Sequence, residues 1–222
     1  MAGDDTPEAA PEPRDERYER QTKERSETLG RFVHAFESMV DAARNGCLTP
    51  AADNARHARP LMVVFHHHAV TAQPLFDMRR GIVAEFTRPE EGAAPSREAE
   101  RERGITNRIL SQMTEEYGRL ARHRNDFLHG TWFIGWSGPG EQDFSRPNVF
   151  RAKITEGGSA VAGMPKDVEG MAACIRRFEW MARMLQRATF VVLTRQRFSA
   201  TFVFGGEMWR SPDDPRAPEP AA

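Results

Sequence analysis

Residues 108–130 read RILSQMTEEYGRLARHRNDFLHG. Within them Ile109, Met113, Tyr117, Leu120, Arg124 and Phe127 recur at intervals of three and four, which at about 100° per residue confines them to one sector of a helix. Arg124 occupies the middle of that sector, where the pattern calls for a leucine. A guanidinium on an apolar stripe is costly unless it is paired and hydrogen-bonded, so it needs a carboxylate within the bundle, a facing subunit or an anionic ligand. On position alone a structural ion pair accounts for it as well as a ligand does. The helix reads back to Arg97 and forward to His129, with Gly130 where a left-handed residue would end it. A histidine in the last turn can cap the final carbonyls, so His129 by itself has a plain structural account.

Working outward, helical periodicity dominates on both sides. From Thr28 the residues Leu29, Phe32, Val33, Phe36, Met39, Val40 and Ala43 mark a first core helix that ends near Asn45-Gly46. Helices are expected over 53–72 and 75–87, with Pro74 breaking or kinking the chain between them and RPEEGAAPS, 88–96, as a linker. After Gly130 the period changes. TWFIGW, 131–136, and NVFRAKIT, 148–155, are rich in aromatic and β-branched residues around a turn-rich connection and predict a small hairpin. Val168, Met171, Ile175, Phe178, Ala182, Leu185, Thr189 and Val192 then mark a long last helix running to about Phe198. The expected fold class is mainly α, an antiparallel helical bundle with a β-hairpin, about 131–155, inserted before its last long helix.

The ends differ from this unit. Residues 1–25 carry three prolines and many charges but few large apolar groups, which predicts a disordered acidic leader, and the proline-punctuated residues 209–222 predict a disordered tail. The folded domain is then 26–208. Across all 222 residues, 31 basic side chains meet 32 acidic ones, which argues against a protein that coats polyanions by net charge. Only Lys23, Lys153 and Lys166 are lysines; the other 28 basic residues are arginines. Two cysteines make no disulfide framework, no spacing suggests a zinc site, and no apolar run is long enough to span a membrane, so a cytoplasmic chain without cofactor or metal is expected. His66-His67-His68 does not change this, because three successive helical residues point about 100° apart and cannot serve one ion.

Bare R-x4-H is weak evidence, since about one chance occurrence is expected at this composition. Requiring Asn after the arginine and Gly after the histidine lowers that to roughly a few in a thousand. At Arg124-Asn125-Asp126-Phe127-Leu128-His129 the sequence resembles the HEPN superfamily. The signature of that family is an arginine, a following polar residue and a histidine four to six positions after the arginine, near the end of a long helix in a four- or five-helix bundle. The order of elements resembles the family over most of 26–200, while the specific match is confined to about ten residues.

The resemblance implies a metal-independent endoribonuclease of the kind found in toxin, phage-defence and RNA-processing systems, working as a homodimer whose two motifs face one another. It equally admits a bundle kept as a non-catalytic dimerisation or partner-binding module. The implied catalytic residues are Arg124, Asn125 and His129. Attack by the RNA 2′-hydroxyl requires a group to take its proton, a group to protonate the leaving 5′-oxygen, and positive charge on the phosphate. Histidine moves protons near neutral pH, arginine offers a fixed donor fork to phosphate oxygens, and Asn125 can orient either partner. If two subunits met across this helix, the stripe holding Arg124 would be partly an intersubunit seam.

Arg119, Arg122 and His123 are weaker RNA-binding candidates beside the motif. The last helix region adds Arg176, Arg177, Arg183, Arg187, Arg195 and Arg197, a face able to track an RNA backbone or to pair with the acidic leader. Trp132, Phe133, Trp136 and Phe150 are expected to pack rather than to stack on bases. Some HEPN toxins carry a tyrosine two residues after the histidine that a nucleotidyltransferase partner modifies; here Thr131 stands there, so that partner is not implied. The residues name no antitoxin.

Overall fold

A computed structural model describes residues 12–51, 72–86, 96–129, 131–133, 148–155, 158–165, 168–204 and 209–210, apart from the side chains of residues 50, 51, 86, 129, 131–133, 148–155, 158–165, 204, 209 and 210. The elements run α1 (Arg14–Ala51), α2 (Ala72–Phe86), α3 (Arg97–His129), β1 (Thr131–Phe133), β2 (Asn148–Thr155), β3 (Gly158–Pro165), α4 (Val168–Thr194), the single turn α5 (Phe198–Thr201), β4 (Val203–Phe204) and β5 (Trp209–Arg210). The fold is mainly α, a helical bundle. Among the described residues no helix is long and apolar enough to cross a membrane. The expected helix over 53–72 lies outside the described residues.

Helix α4 is the axis of the bundle. Its apolar residues are buried on more than one side, from Met171 through Ile175, Phe178, Met181 and Leu185 to Val192. Helix α1 lies along α4 in the most extensive helix pair, α2 packs on α1 and α3, and α3 packs on α4. An aromatic cluster joins three of them: Phe32 of α1 meets Phe127 of α3 at 4.6 Å and Phe178 of α4 at 5.0 Å, and Phe36 meets Phe178 at 5.5 Å. Each such ring, fully buried, contributes about 1.5–3 kcal/mol through removal of its apolar surface from water.

The element ends correct several expectations. Helix α1 begins at Arg14, so residues 14–25 are helical and do not belong to a disordered leader. None of these twelve is proline, Arg25 and Thr28 are buried, and elongating a helix already nucleated by its packed half costs little. Asp15 and Glu16 in the first turn suit the positive end of the dipole. Gly46 does not end α1, which continues to Ala51. It serves a close approach: a Cβ added there would collide with Arg79 Nε and lie 2.9 Å from Thr189 Oγ1. Pro74 lies in the first turn of α2, where the missing N–H has no intrahelical partner to lose.

Helix α3 starts as predicted. Ser96 caps it, its Oγ accepting the Ala99 N–H at 3.1 Å. Helix α4 stops at Thr194, four residues short of the expected Phe198. Arg195 takes φ 52°, and the Gln196 N–H reaches the Val191 carbonyl at 3.1 Å while the Arg195 N–H reaches that of Val192 at 3.3 Å. This is the left-handed helix end usually given to glycine. Beyond it Phe198 and Phe202 stack at 5.7 Å, both buried, and Glu102 of α3 accepts the Ser199 N–H at 3.1 Å.

The segment expected as a hairpin forms three strands in the order β1-β2-β3. β1 pairs antiparallel with β2 over three residues, Thr131 opposite Phe150, but the long pairing of β2 is with β3 over eight, from Asn148 opposite Pro165 to Thr155 opposite Gly158. The sequence hid β3 because GSAVAGMP is mostly small residues and gives little alternation to read. Trp209 and Arg210 pair with Phe204 and Val203, so these two residues belong to the fold rather than to a loose tail.

Candidate functional site

The stripe on α3 is buried as its spacing required: Ile109, Met113, Tyr117, Leu120 and Phe127 are fully enclosed within one chain. Its apolar members thus find their partners within the chain itself. Arg124 is the exception on the stripe and is half-buried, at the rim of the aromatic cluster. Its guanidinium carbon lies 5.3 Å from the centre of the Phe36 ring, and its Nη1 donates to Asn125 Oδ1 at 3.2 Å. Its Nε is buried and unbonded. No carboxylate pairs with it among the described residues. The ring supplies the negative face that a cation prefers, worth about 0.5–2 kcal/mol, and leaves the rest of the fork unneutralised.

Asn125 is exposed beside it, and His129 is the last residue of α3, five positions on; its side chain lies outside the described residues. The helix end is set by Phe127, whose contact with Phe32 anchors the turn between Arg124 and His129 to α1. Arg122 is exposed and His123 half-buried. Arg119 is engaged otherwise: its Nε donates to Glu116 Oε2 at 2.9 Å.

Glu116 is the node that sequence reading passed over. It is 4% exposed, and while Oε2 holds Arg119, Oε1 accepts the Nε of Arg177 from α4 at 2.8 Å, with Nη2 also in contact. Arg177 is itself 4% exposed, so it is a buried ion-pair partner and not part of a basic face. Arg195 and Arg197 follow the end of α4, and Arg197 bridges to Glu98. The basic face expected on α4 thus reduces to exposed Arg176 and Arg183 and half-buried Arg187. A buried Glu at 116 had a readable signal: it falls one residue before Tyr117, on the flank of the apolar sector.

The largest omission is Arg79. Leu75, Phe76, Arg79 and Val83 form the buried stripe of α2, and Arg79 is 1% exposed. An arginine in an apolar phase was the signal used for Arg124, and it applied to Arg79 with equal force. Among the described residues no group of three His, Cys, Asp or Glu side chains could hold a metal ion, and His66, His67 and His68 lie outside them, as do the side chains of Trp132, Phe133 and Phe150 and the whole of Trp136. Comparison of the chain with family models, with curated proteins and with solved structures finds no match.

Proposed function

We propose that this chain is a metal-independent HEPN-type endoribonuclease acting at the end of α3, an effector of the toxin or phage-defence kind. The observation that carries the reading is Arg124: a guanidinium braced on one face by Phe36 and at Nη1 by Asn125, with no carboxylate paired to it among the described residues. Such a fork is preorganised for an anion. It would hold the phosphate and stabilise the charge that develops as the 2′-oxygen attacks phosphorus. His129, one turn further on, would move the proton between the 2′-hydroxyl and the leaving 5′-oxygen. Asn125, already bonded to Arg124, would fix the orientation of the fork. A homodimer would bring two such pairs to one cleft, and exposed Arg122 with half-buried His123 would extend the contact to neighbouring phosphates.

Mixed RNA incubated with the purified chain in EDTA tests this. Cleavage is expected, leaving 2′,3′-cyclic phosphate and 5′-hydroxyl ends, and it should be lost in His129→Ala and in Arg124→Ala. Persistence of cleavage in both variants, or none by the intact protein, would sink the proposal. A second reading, a non-catalytic dimerisation or partner-binding module, is favoured by the inward Nε of Arg124, which gives the residue a share in packing. It predicts no cleavage and a loss of stability in Arg124→Ala larger than a lone ring contact explains.

A further inference from the structure

The register of the β1-β2-β3 sheet sorts its residues onto two faces that the sequence alone does not separate. Neighbouring residues of a strand lie on opposite faces, and residues paired across an antiparallel ladder lie on the same one. Phe150 is opposite Thr131 on β1 and Gly163 on β3, so Phe133, Phe150, Ala152, Ile154 and Val161 share one face. Val149 is opposite Trp132 and Met164, which puts Trp132 on the other face, with Arg151 and Lys153. The aromatic residues of this segment therefore do not form one group. Phe133 and Phe150 belong to an apolar face, whereas Trp132 shares its face with two cations.

That second face has the composition of a nucleic-acid surface. Arg151 and Lys153 stand two residues apart on β2, about 7 Å along the strand. The β3 positions opposite them are Ala162 and Ala160, and no Asp or Glu occurs in any of the three strands. Two cations are thus set among small residues, with no carboxylate on the same sheet. Trp132 comes three residues after His129, because β1 follows α3 with Gly130 alone between them, and β2 in turn approaches α3. The face that holds Trp132 starts where α3 ends.

We propose that this face is a platform for single-stranded RNA leading to the site at the end of α3. The proposal rests on the ribonuclease reading and extends the contact with the strand beyond the scissile phosphate. Burial of the face of Phe150 and Ile154 against the helices leaves the face of Arg151 and Lys153 to water. Trp132 then stacks on an unpaired base, and Arg151 and Lys153 hold phosphates of the same strand. Stacking needs a base free of its pair, which selects single strands over duplexes. An acidic polypeptide would meet the two cations but would leave the indole without a planar partner.

Fluorescence anisotropy of a labelled single-stranded oligoribonucleotide tests the platform, read in EDTA with His129→Ala as the parent so that the strand stays intact. Trp132→Ala should weaken binding about tenfold, the scale of one lost base stack. Arg151→Gln together with Lys153→Gln should flatten the slope of log Kd against log salt by about 1.4, the share of two phosphates on a single strand. The proposal is overturned by a parent that does not bind, that binds duplex RNA or polyglutamate as tightly as the single strand, or whose affinity and salt slope survive all three substitutions. If Trp132→Ala does not fold, the salt slope of the double variant decides alone. Cleavage by the intact protein is scored separately. Binding that depends on these residues without cleavage removes the ribonuclease and keeps the platform, while cleavage with RNA binding indifferent to them removes the platform alone.

Discussion

Two arginines of this bundle stand on apolar stripes, Arg124 near the end of α3 and Arg79 in the middle of α2, and the bundle treats them differently. Arg124 reaches the rim, where a ring and an asparagine brace it and part of its fork stays within reach of solvent. Arg79 is enclosed, held by a carbonyl and a hydroxyl of α4 and backed by Gly46. The same sequence signal, a cation in an apolar phase, thus marks a guanidinium at the rim of the bundle in one place and an enclosed contact between helices in the other. What separates them is depth. Arg124 lies five residues from its helix end, whereas Arg79 sits at mid-helix beneath a glycine on α1.

Four substitutions sharpen or break this contrast. Glu116→Ala has the largest effect, because it removes the buried carboxylate that Arg177 and Arg119 share; a loss of about 3–5 kcal/mol is expected by denaturant unfolding. A loss under 1 kcal/mol would mean that burial of charge is not what the bundle resists. Gly46→Ala comes next. In an ordinary helix interior alanine gains about 1 kcal/mol over glycine, but here the added methyl strikes Arg79, and a net loss of about 2 kcal/mol is expected. If the variant gained stability, the close approach would not be tight. Arg124→Ala should cost only about 1 kcal/mol, the worth of a ring contact at a rim, and a cost near that of Glu116→Ala would make Arg124 a structural residue like Arg177. The smallest change is a gain: Arg195→Gly removes a side chain from a left-handed position and should raise stability by about 0.5–1 kcal/mol, visible as a higher denaturant midpoint.

Much of the bundle was legible where one signal dominated. Helix α3 was readable from Arg97 to His129, and the α4 stripe was readable because every turn carries a large apolar residue. The signals that misled were residues with two physical uses. Gly46 looks like a helix stop and is a contact surface for Arg79; Pro74 looks like a break and fits a first turn. Residues 14–25 lack the apolar content that predicts order, yet they extend a helix nucleated further along. At the site, spacing identified Arg124 and its departure from the stripe, but not what answers its charge, since Phe36 lies 88 positions away in sequence. Arg177 and Arg119 looked like a basic surface until Glu116 was seen between them, which is a contact across helices that charge counting does not contain.

The most direct measurement is a paired one on Arg124→Ala: its rate of RNA cleavage in EDTA and its unfolding free energy, each against the wild type. The account predicts a cleavage rate lowered by at least about a thousandfold, the scale for removing transition-state charge stabilisation, with stability changed by no more than about 1 kcal/mol. Undiminished cleavage, or a collapse of the fold in step with the activity, would contradict it.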